Sequence, residues 1–296
     1  MKEIHDIVRE YQRRPNESLA LATLVHAQGS SYRRPGARML IGRDGATVGS
    51  LSGGCLEEEV AACGRDIIRT GRASLMSFDT RRRFGCNGSI DIFVEKASPQ
   101  FLEKLAENFQ ARQTCTVATI FSGHEDELGT RLVREIEDDS DRIFFQDISP
   151  CIQLLVFGEG PDSEPLSSLG DLLGWSVLHF TQPSELPSEL DEWTAAVVKT
   201  HNYGRDFAAL QALLPRGLKY VGLVGPRRRR DQLLGDLLDI GTPIESQLYA
   251  PVGFDLAAET PEEIALAIVS EIQAIFAGGT GESLRDSKRP IHSIES

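Results

Sequence analysis

Two cysteines of this 296-residue chain lie in glycine-rich turns. Cys55 follows Gly53 and Gly54 where a turn enters a predicted helix, and the backbone N–H groups and dipole of a helix start favour a thiolate. Cys86 lies in a second tight turn, Gly85–Gly88. Small flanking residues let a ligand approach the backbone. Two roles stay open for each cysteine: a functional thiol, or a small buried residue.

The sequence around Cys55 also contains an opposing charge. The acidic run Glu57–Glu59 would raise the thiol pKa if its carboxylates pointed at the sulfur, although acids in a first helical turn commonly complement the helix dipole. The other cysteines are less informative about chemistry. Cys63 lies on the apolar stripe of its helix and Cys115 lies inside a strand, so both are predicted to be core residues, and Cys151 at a strand start indicates nothing.

A second group of polar residues follows predicted strands in the C-terminal half. His201 and Asn202 follow one strand, and Gly225 and Arg227 follow another. Ligands of open parallel sheets bind outside the carboxyl ends of the strands, and a cationic helix start suits an anion. His201 is either a ligand-binding residue or a hydrogen-bonded structural one. Asp206 either orients His201 or begins the next helix.

The elements that must position these residues divide the chain into two parts. The first, residues 1–149, predicts an α+β domain with an opening helix, a hairpin turn at Arg43–Gly45, and a helix from Leu56 that Gly71 ends. Periodicity predicts further elements in this part. Strands are expected at Leu19–Ala27, Ile90–Glu95 and Thr114–Phe121, a helix at Phe101–Gln110, and a hairpin of Arg131–Ile136 with Arg142–Gln146.

The second part, residues 150–278, alternates strands and helices and predicts a Rossmann-like parallel sheet. The fold class is therefore α/β, an α+β domain followed by a Rossmann-like domain. Thr260 and Glu263 form a capping-box pattern at the start of the last long helix. Residues 279–296 are polar and are expected to form a mobile tail. Strands are predicted at Ile152–Phe157, Trp175–Phe180, Ala195–Lys199, Tyr220–Val224 and Ser246–Tyr249, with helices to about Leu173 and at Phe207–Leu214, Arg228–Leu238 and Pro261–Phe276.

The glycine turn after the first strand of that sheet departs from a dinucleotide-binding fingerprint. Gly158 and Gly160 are present, but Ser163 replaces the third glycine and Pro161 removes a backbone N–H from the phosphate position. Thr181, at the end of the second strand, offers no carboxylate for a ribose hydroxyl. These features argue against an NAD(P)-dependent oxidoreductase.

Composition excludes other classes. A formal net charge of −13 argues against nonspecific nucleic-acid binding. No apolar run approaches the roughly 20 residues that cross a bilayer, so no membrane association is expected. The opening residues do not read as a secretory signal, and five scattered cysteines without a CxxC pair favour free thiols in a cytoplasmic protein.

Six long strings of this sequence resemble the XdhC/CoxI family of xanthine dehydrogenase accessory proteins. In chain order they are GSSYRRPGARMLI, GSLSGGCLEEEV, FGCNGSIDIFVE, VVKTHNYGRD, YVGLVGPRRRR and LYAPVGFDLAAETPEEIALAIVSEI. The resemblance covers most of the chain. It implies a chaperone, rather than an enzyme, that binds molybdenum cofactor, protects it during sulfuration and transfers it to an apo molybdenum hydroxylase of the xanthine dehydrogenase type.

The resemblance gives the candidate residues their roles. Cys55 and Cys86 become candidates to contact molybdenum or the sulfur delivered to it, because molybdenum is held by soft sulfur ligands. Guanidinium groups are suited to the phosphate and the flat pterin of the cofactor. The candidate cofactor-binding residues are Cys55, Cys86, Gly53, Gly54, Asn87, Arg33, Arg34 and Arg38 in the N-terminal domain, with His201, Asn202, Gly225 and Arg227 in a cleft against the Rossmann-like domain.

Partners and rival functions follow from the same assignment. A chaperone of this kind would meet an apo-hydroxylase and a cysteine desulfurase, and the sequence leaves homodimer formation open. The rivals are an NAD(P)-dependent oxidoreductase and a thiol or persulfide carrier that uses Cys55 and Cys86 without molybdenum. Members of the family typically carry His where this chain has Pro161 and an acid where it has Thr181, which counts further against a nucleotide role.

Overall fold

The computed structural model describes residues 2–29, 31–79, 88–134 and 140–286. It divides into two compact units, Met1–Pro150 and Cys151–Ser296. Cys86, Asn87, the end of the expected strand at Ile136 and the last residues of the expected tail lie outside the described residues. In the part of the chain that is described, no helix is long and apolar enough to span a bilayer.

The first unit contains two antiparallel sheets and their covering helices. A five-stranded sheet has the strand order β3-β2-β1-β5-β4, and a three-stranded sheet has the order β7-β6-β8. The helices are α1 (Lys2–Arg13), α2 (Glu57–Thr70) and α3 (Pro99–Gln110). The strands are β1 (Ala20–Gly29), β2 (Arg38–Ile41), β3 (Thr47–Gly49), β4 (Ser74–Asp79), β5 (Gly88–Lys96), β6 (Cys115–Ile120), β7 (Gly129–Val133) and β8 (Ile143–Ile148).

The hairpin and helix that flank the Cys55 segment form where the sequence predicted them. β2 and β3 pair antiparallel, and Asp44 closes their turn by accepting a 3.1 Å hydrogen bond from the Ala46 N–H. α2 buries Val60 and Ile67 in the core formed with the five-stranded sheet and ends at Gly71 in the left-handed conformation. Cys63 is half-buried and packs against the same core, as its helical position predicted.

The expected hairpin between β7 and β8 is wrong. Both strands pair antiparallel with β6, on opposite edges, so β6 lies between them. β6 is suited to the central position because Val117 and Thr119 are fully buried on its inner face. An edge strand, β4, was missed because its sequence, SLMSFD, has no continuous apolar run. Its side chains alternate between more buried and exposed, and Leu75 is 42% exposed.

The second unit is an open parallel sheet with helices, as the alternating pattern predicted. The strand order is β10-β9-β11-β12-β13, and every pairing is parallel. The central strand β11 is buried along its whole length, which explains its continuous apolar run. The strands are β9 (Gln153–Phe157), β10 (Ser176–Phe180), β11 (Thr194–Val198), β12 (Tyr220–Leu223) and β13 (Leu248–Tyr249), and the helices are α4 (Ser163–Leu173), α5 (Tyr203–Leu213), α6 (Arg227–Asp239) and α7 (Pro261–Ala277).

The predicted capping box at the start of α7 is confirmed. The Thr260 side chain accepts a hydrogen bond from the Glu263 N–H, and the Glu263 carboxylate accepts one from the Thr260 N–H. Two donors that a helix start would otherwise leave unpaired are satisfied in this way.

Candidate functional site

The loop Ser50–Leu56, called the Cys55 loop below, connects β3 to α2 and is held by one carboxylate. Glu57 Oε1 accepts hydrogen bonds from Ser50 Oγ at 3.0 Å, Leu51 N at 3.2 Å and Ser52 N at 2.8 Å. Its Oε2 accepts from Ser52 Oγ at 2.7 Å and Leu56 N at 3.1 Å. Partial burial alone would raise the pKa of Glu57, but the hydrogen bonds from Ser52 and Ser50 outweigh it and lower the pKa to about 2.

Cys55 is exposed on this loop as a free thiol, which excludes the alternative of a small buried residue. Its backbone N–H donates to Ser52 Oγ at 3.1 Å. Gly54 has a φ of +104°, and a Cβ there would meet no atom within 4 Å. A glycine is therefore suited to this backbone conformation, and the space beside Cys55 is open.

The backbone N–H groups on either side of the Cys55 side chain are engaged within the loop. The N–H groups of Cys55 and Leu56 donate to Ser52 Oγ and to the Glu57 carboxylate, so they are already hydrogen-bonded within the loop. Of the acidic run, Glu57 turns back into the loop, whereas Glu58 and Glu59 are exposed. The loop is thus organised around a carboxylate of its own helix.

Sequence reasoning missed the aromatic neighbour of this loop. Tyr32, 67% exposed, lies with its ring 3.9 Å from the position that a Gly53 Cβ would take. The segment that follows β1 therefore lies beside the Cys55 loop. The sequence signal that could have identified Tyr32 as a site residue was its position directly before Arg33 and Arg34 in the string GSSYRRPGARMLI.

The three arginines of that string are placed differently from one another. Arg33 makes a bidentate ion pair with Glu3 of α1, in which Nη1 lies 2.6 Å from Oε1. Arg38 is 2% exposed, and its Nη1 donates to the Gly36 carbonyl at 3.2 Å and to Gln146. Burial lowers the pKa of Arg38 to about 10, although the charge of Glu95 opposes this shift. The Arg34 side chain, unlike those of Arg33 and Arg38, is exposed.

In the second unit, His201 and Asn202 lie after β11, at the carboxyl end of the parallel sheet. His201 is exposed and has a φ of +54°. Asn202 caps α5, because its side chain accepts a 3.1 Å hydrogen bond from the Arg205 N–H. Gly225 and Arg227 follow the neighbouring strand β12, and Arg227 is exposed at the start of α6.

Asp206 does not orient His201. Its carboxylate is fully buried, accepts from Thr200 Oγ1 at 2.5 Å and forms a 2.5 Å ion pair with Arg229. The pair joins the start of α5 to the start of α6, so Asp206 has a structural role at this edge of the sheet. Its carboxylate is therefore committed elsewhere than to the His201 ring.

A buried ion pair under the glycine turn also escaped sequence reasoning. Lys199 is 0% exposed, and its Nζ lies 2.8 Å from Oδ1 of Asp162. A Cβ at Gly158, where φ is +117°, would lie 2.7 Å from the Lys199 carbonyl oxygen, so only glycine allows this approach. A lysine ending an apolar strand was the one signal in the sequence. Among residues 2–29, 31–79, 88–134 and 140–286, no group of three or more His, Cys, Asp or Glu side chains is arranged for a metal ion.

The fold defines an α/β protein that combines an antiparallel α+β unit with a Rossmann-like unit. Residues 12–79 match the XdhC and CoxI family, and residues 154–272 match the XdhC Rossmann domain. The chain therefore belongs to the XdhC and CoxI family, as the six strings predicted.

Similar proteins cover nearly the whole chain. A Bacillus subtilis protein named as a probable xanthine dehydrogenase subunit is 31% identical, over 86% of this chain and 92% of that protein. The molybdenum cofactor insertion chaperone PaoD of Escherichia coli is 25% identical, over 86% of this chain and 82% of its own length. The crystal structure of a Bacillus halodurans protein described as a xanthine dehydrogenase superposes on this chain with a TM-score of 0.79. The match covers 97% of this chain and 98% of that protein at 24% identity, so it shows that the two share a fold.

Proposed function

We propose that this protein is an accessory chaperone that binds molybdenum cofactor and delivers it to a molybdenum hydroxylase of the xanthine dehydrogenase type. Two relatives support this role through their names, one as a cofactor insertion chaperone and one as part of a xanthine dehydrogenase. The observation on which the proposal depends is the exposed, free thiol of Cys55 on a glycine loop. The cofactor is cargo in this scheme, and the protein holds it without transforming it.

The residues of the Cys55 loop fit the metal end of such a cargo. A thiolate is a soft ligand of the type that suits a sulfur-ligated molybdenum centre. The open space at Gly54 gives a bulky group access to the sulfur, and the exposed ring of Tyr32 offers a flat surface to a pterin. We include Cys86 and Asn87 in the proposal because their string, FGCNGSIDIFVE, is the third of the N-terminal strings that resemble the family.

The phosphate end requires a cation whose side chain faces solvent. The Arg33 side chain is part-buried beside Glu3, and Arg38 is buried against Gln146, so we leave both out of the proposed site. Arg34 is exposed and stays in it. In the Rossmann-like unit, His201, Asn202, Gly225 and Arg227 stay in the proposal as an anion-binding edge, since Arg227 lies at an exposed helix start.

A mutation at Cys55 tests the proposal. We expect Cys55→Ser to retain severalfold less released molybdenum cofactor than the wild-type protein, because an alcohol is a poorer ligand for a soft metal than a thiolate. The measurement is molybdenum and fluorescent oxidised pterin that co-elute with purified protein. Cys63→Ser is the matched control, since it removes a half-buried thiol of the same unit. Equal retention by Cys55→Ser and wild type would remove Cys55 from the site.

An exposed thiol also suits a second function, the carriage of sulfur as a persulfide without molybdenum. The proposed protection of the cofactor during sulfuration, with a cysteine desulfurase as partner, joins both activities in one protein. The cofactor experiment separates the two cases when mass spectrometry of the same samples is added. A sulfur carrier would show a stable persulfide on Cys55 and no co-eluting pterin.

A further inference from the structure

We infer that Glu57 is a positioning residue that holds the Cys55 loop in the conformation that presents the thiol to its ligand. This inference rests on the proposed function only for the identity of the ligand. Glu57 does not touch the sulfur in the contacts described above. It acts through the backbone and through Ser52.

The contacts of Glu57 show a carboxylate placed inside a ring of donors. Each oxygen accepts at least two hydrogen bonds, and the donors come from Ser50, Leu51, Ser52 and Leu56 on both sides of Cys55. Ionised acceptors form hydrogen bonds that are shorter and stronger than neutral ones. A single side chain therefore fixes both ends of a loop whose glycines would otherwise leave it many conformations.

Ser52 extends this control to Cys55 itself. Its hydroxyl donates to Glu57 Oε2 at 2.7 Å and accepts from the N–H of Cys55 at 3.1 Å. The path from carboxylate to cysteine backbone thus consists of two hydrogen bonds. A substitution at position 52 that keeps a hydroxyl should preserve these two hydrogen bonds, and a substitution that removes the hydroxyl should break them.

Ordinary helix capping does not account for this arrangement. Acids of a first helical turn stabilise the helix by lying near its positive end, and Glu58 and Glu59 are exposed there. Glu57 instead reaches back across the loop to residues five to seven positions earlier in the chain. The contacts that it makes order the loop around the thiol in addition to starting α2.

The test compares Glu57→Gln with Glu58→Gln in the full-length protein. Both variants remove one negative charge, but only the first puts amide donors against Ser52 Oγ and Leu56 N, where acceptors are required. The first readout is the rate at which iodoacetamide alkylates Cys55, read at that residue by peptide mass spectrometry. The second is retention of released molybdenum cofactor.

We expect Glu57→Gln to raise the alkylation rate of Cys55 severalfold and to lower cofactor retention severalfold, with Glu58→Gln close to wild type. Ser52→Ala should also raise the alkylation rate and lower cofactor retention. Ser52→Thr, which keeps the hydroxyl, should behave like the wild-type protein in both measurements. This pair keeps the test decisive if Glu57→Gln fails to fold. An unchanged Cys55 alkylation rate in Ser52→Ala, and in Glu57→Gln where that variant folds, would overturn the role of Glu57.

The two measurements distinguish a failure of the proposed function from a failure of this inference. If wild-type protein retains no cofactor, the proposed function is wrong, and the alkylation rates still decide whether Glu57 positions the loop. If wild type retains cofactor and both Glu57→Gln and Ser52→Ala retain it equally well, the loop conformation is irrelevant to binding and the inference is overturned.

Discussion

His5 illustrates how burial changes the chemistry of a single side chain. It is 8% exposed and stacks on Phe109 with ring centroids 3.8 Å apart. Burial is the largest influence and lowers the pKa of His5 to about 4, although a hydrogen bond with the Ser149 backbone opposes it. The folded protein therefore holds this imidazole neutral at pH values where the unfolded chain would protonate it.

A pH-dependent stability follows from that shift. Between pH 6.5 and about 4, the unfolded state binds a proton at His5 that the folded state does not bind. The contribution of the neutral His5 to the free energy of unfolding is therefore fully present above pH 6.5 and is lost as the pH falls toward 4. In the wild-type protein this titration lowers the free energy of unfolding by up to about 3 kcal/mol across that pH range. We expect His5→Phe, which keeps a flat ring against Phe109, to abolish this decrease. Urea unfolding at several pH values measures it. Parallel curves for the variant and wild type would contradict the assignment.

The site residues show which properties a sequence encodes locally. Gly53, Gly54 and Cys55 were identified as a group because adjacent glycines mark an open turn. The partner of Arg33 is 30 positions away in the sequence and that of Arg38 is 108 away, so their internal pairing was invisible. Local pattern predicts backbone form, whereas side-chain availability depends on the tertiary fold.

At the scale of elements, the sequence predicted those whose periodicity and end signals agree. α2 and α7 have apolar spacing together with a terminal glycine or a capping box, and both were placed within about one residue of their observed bounds. The pairing of β7 and β8 was wrong because neighbouring strands in sequence were assumed to be neighbours in the sheet. Edge-strand β4 buries too little apolar surface to be distinguished from a loop.

The contact between α4 and β11 gives a second prediction. Asp162 precedes α4 but makes no capping hydrogen bond, because its carboxylate pairs with the buried Lys199 that follows β11. Asp162→Ala would leave an ammonium buried without a partner, and we expect it to lower the free energy of unfolding by about 3–5 kcal/mol. Urea denaturation with fluorescence detection measures the change.

A double variant distinguishes a lost charge partner from lost packing. In Asp162→Ala with Lys199→Met, an apolar side chain of similar length replaces the ammonium, so most of the lost stability should return. If the double variant is as unstable as Asp162→Ala alone, the single substitution acts through the start of α4 and the ion pair does not explain its effect.

At the scale of the whole molecule, each unit has its own hydrophobic core. Among the described residues, two clusters lie within Met1–Pro150 and two lie within Cys151–Ser296, and none draws residues from both. A chain of about 150 residues buries enough surface to fold by itself. The match of separate family segments to residues 12–79 and 154–272 agrees with this division.

We therefore expect residues 1–150 and 151–286, produced as separate chains, each to unfold cooperatively in urea, because neither loses the core that stabilises it. The N-terminal chain carries the Cys55 loop complete with Glu57, so it should keep the wild-type alkylation rate of Cys55. Cofactor retention by that chain measures how much the loop contributes alone. Full retention would assign the whole site to the first unit, whereas retention that requires both chains would make the edge with His201 and Arg227 part of it. A noncooperative transition in either chain would show that the units depend on each other for folding.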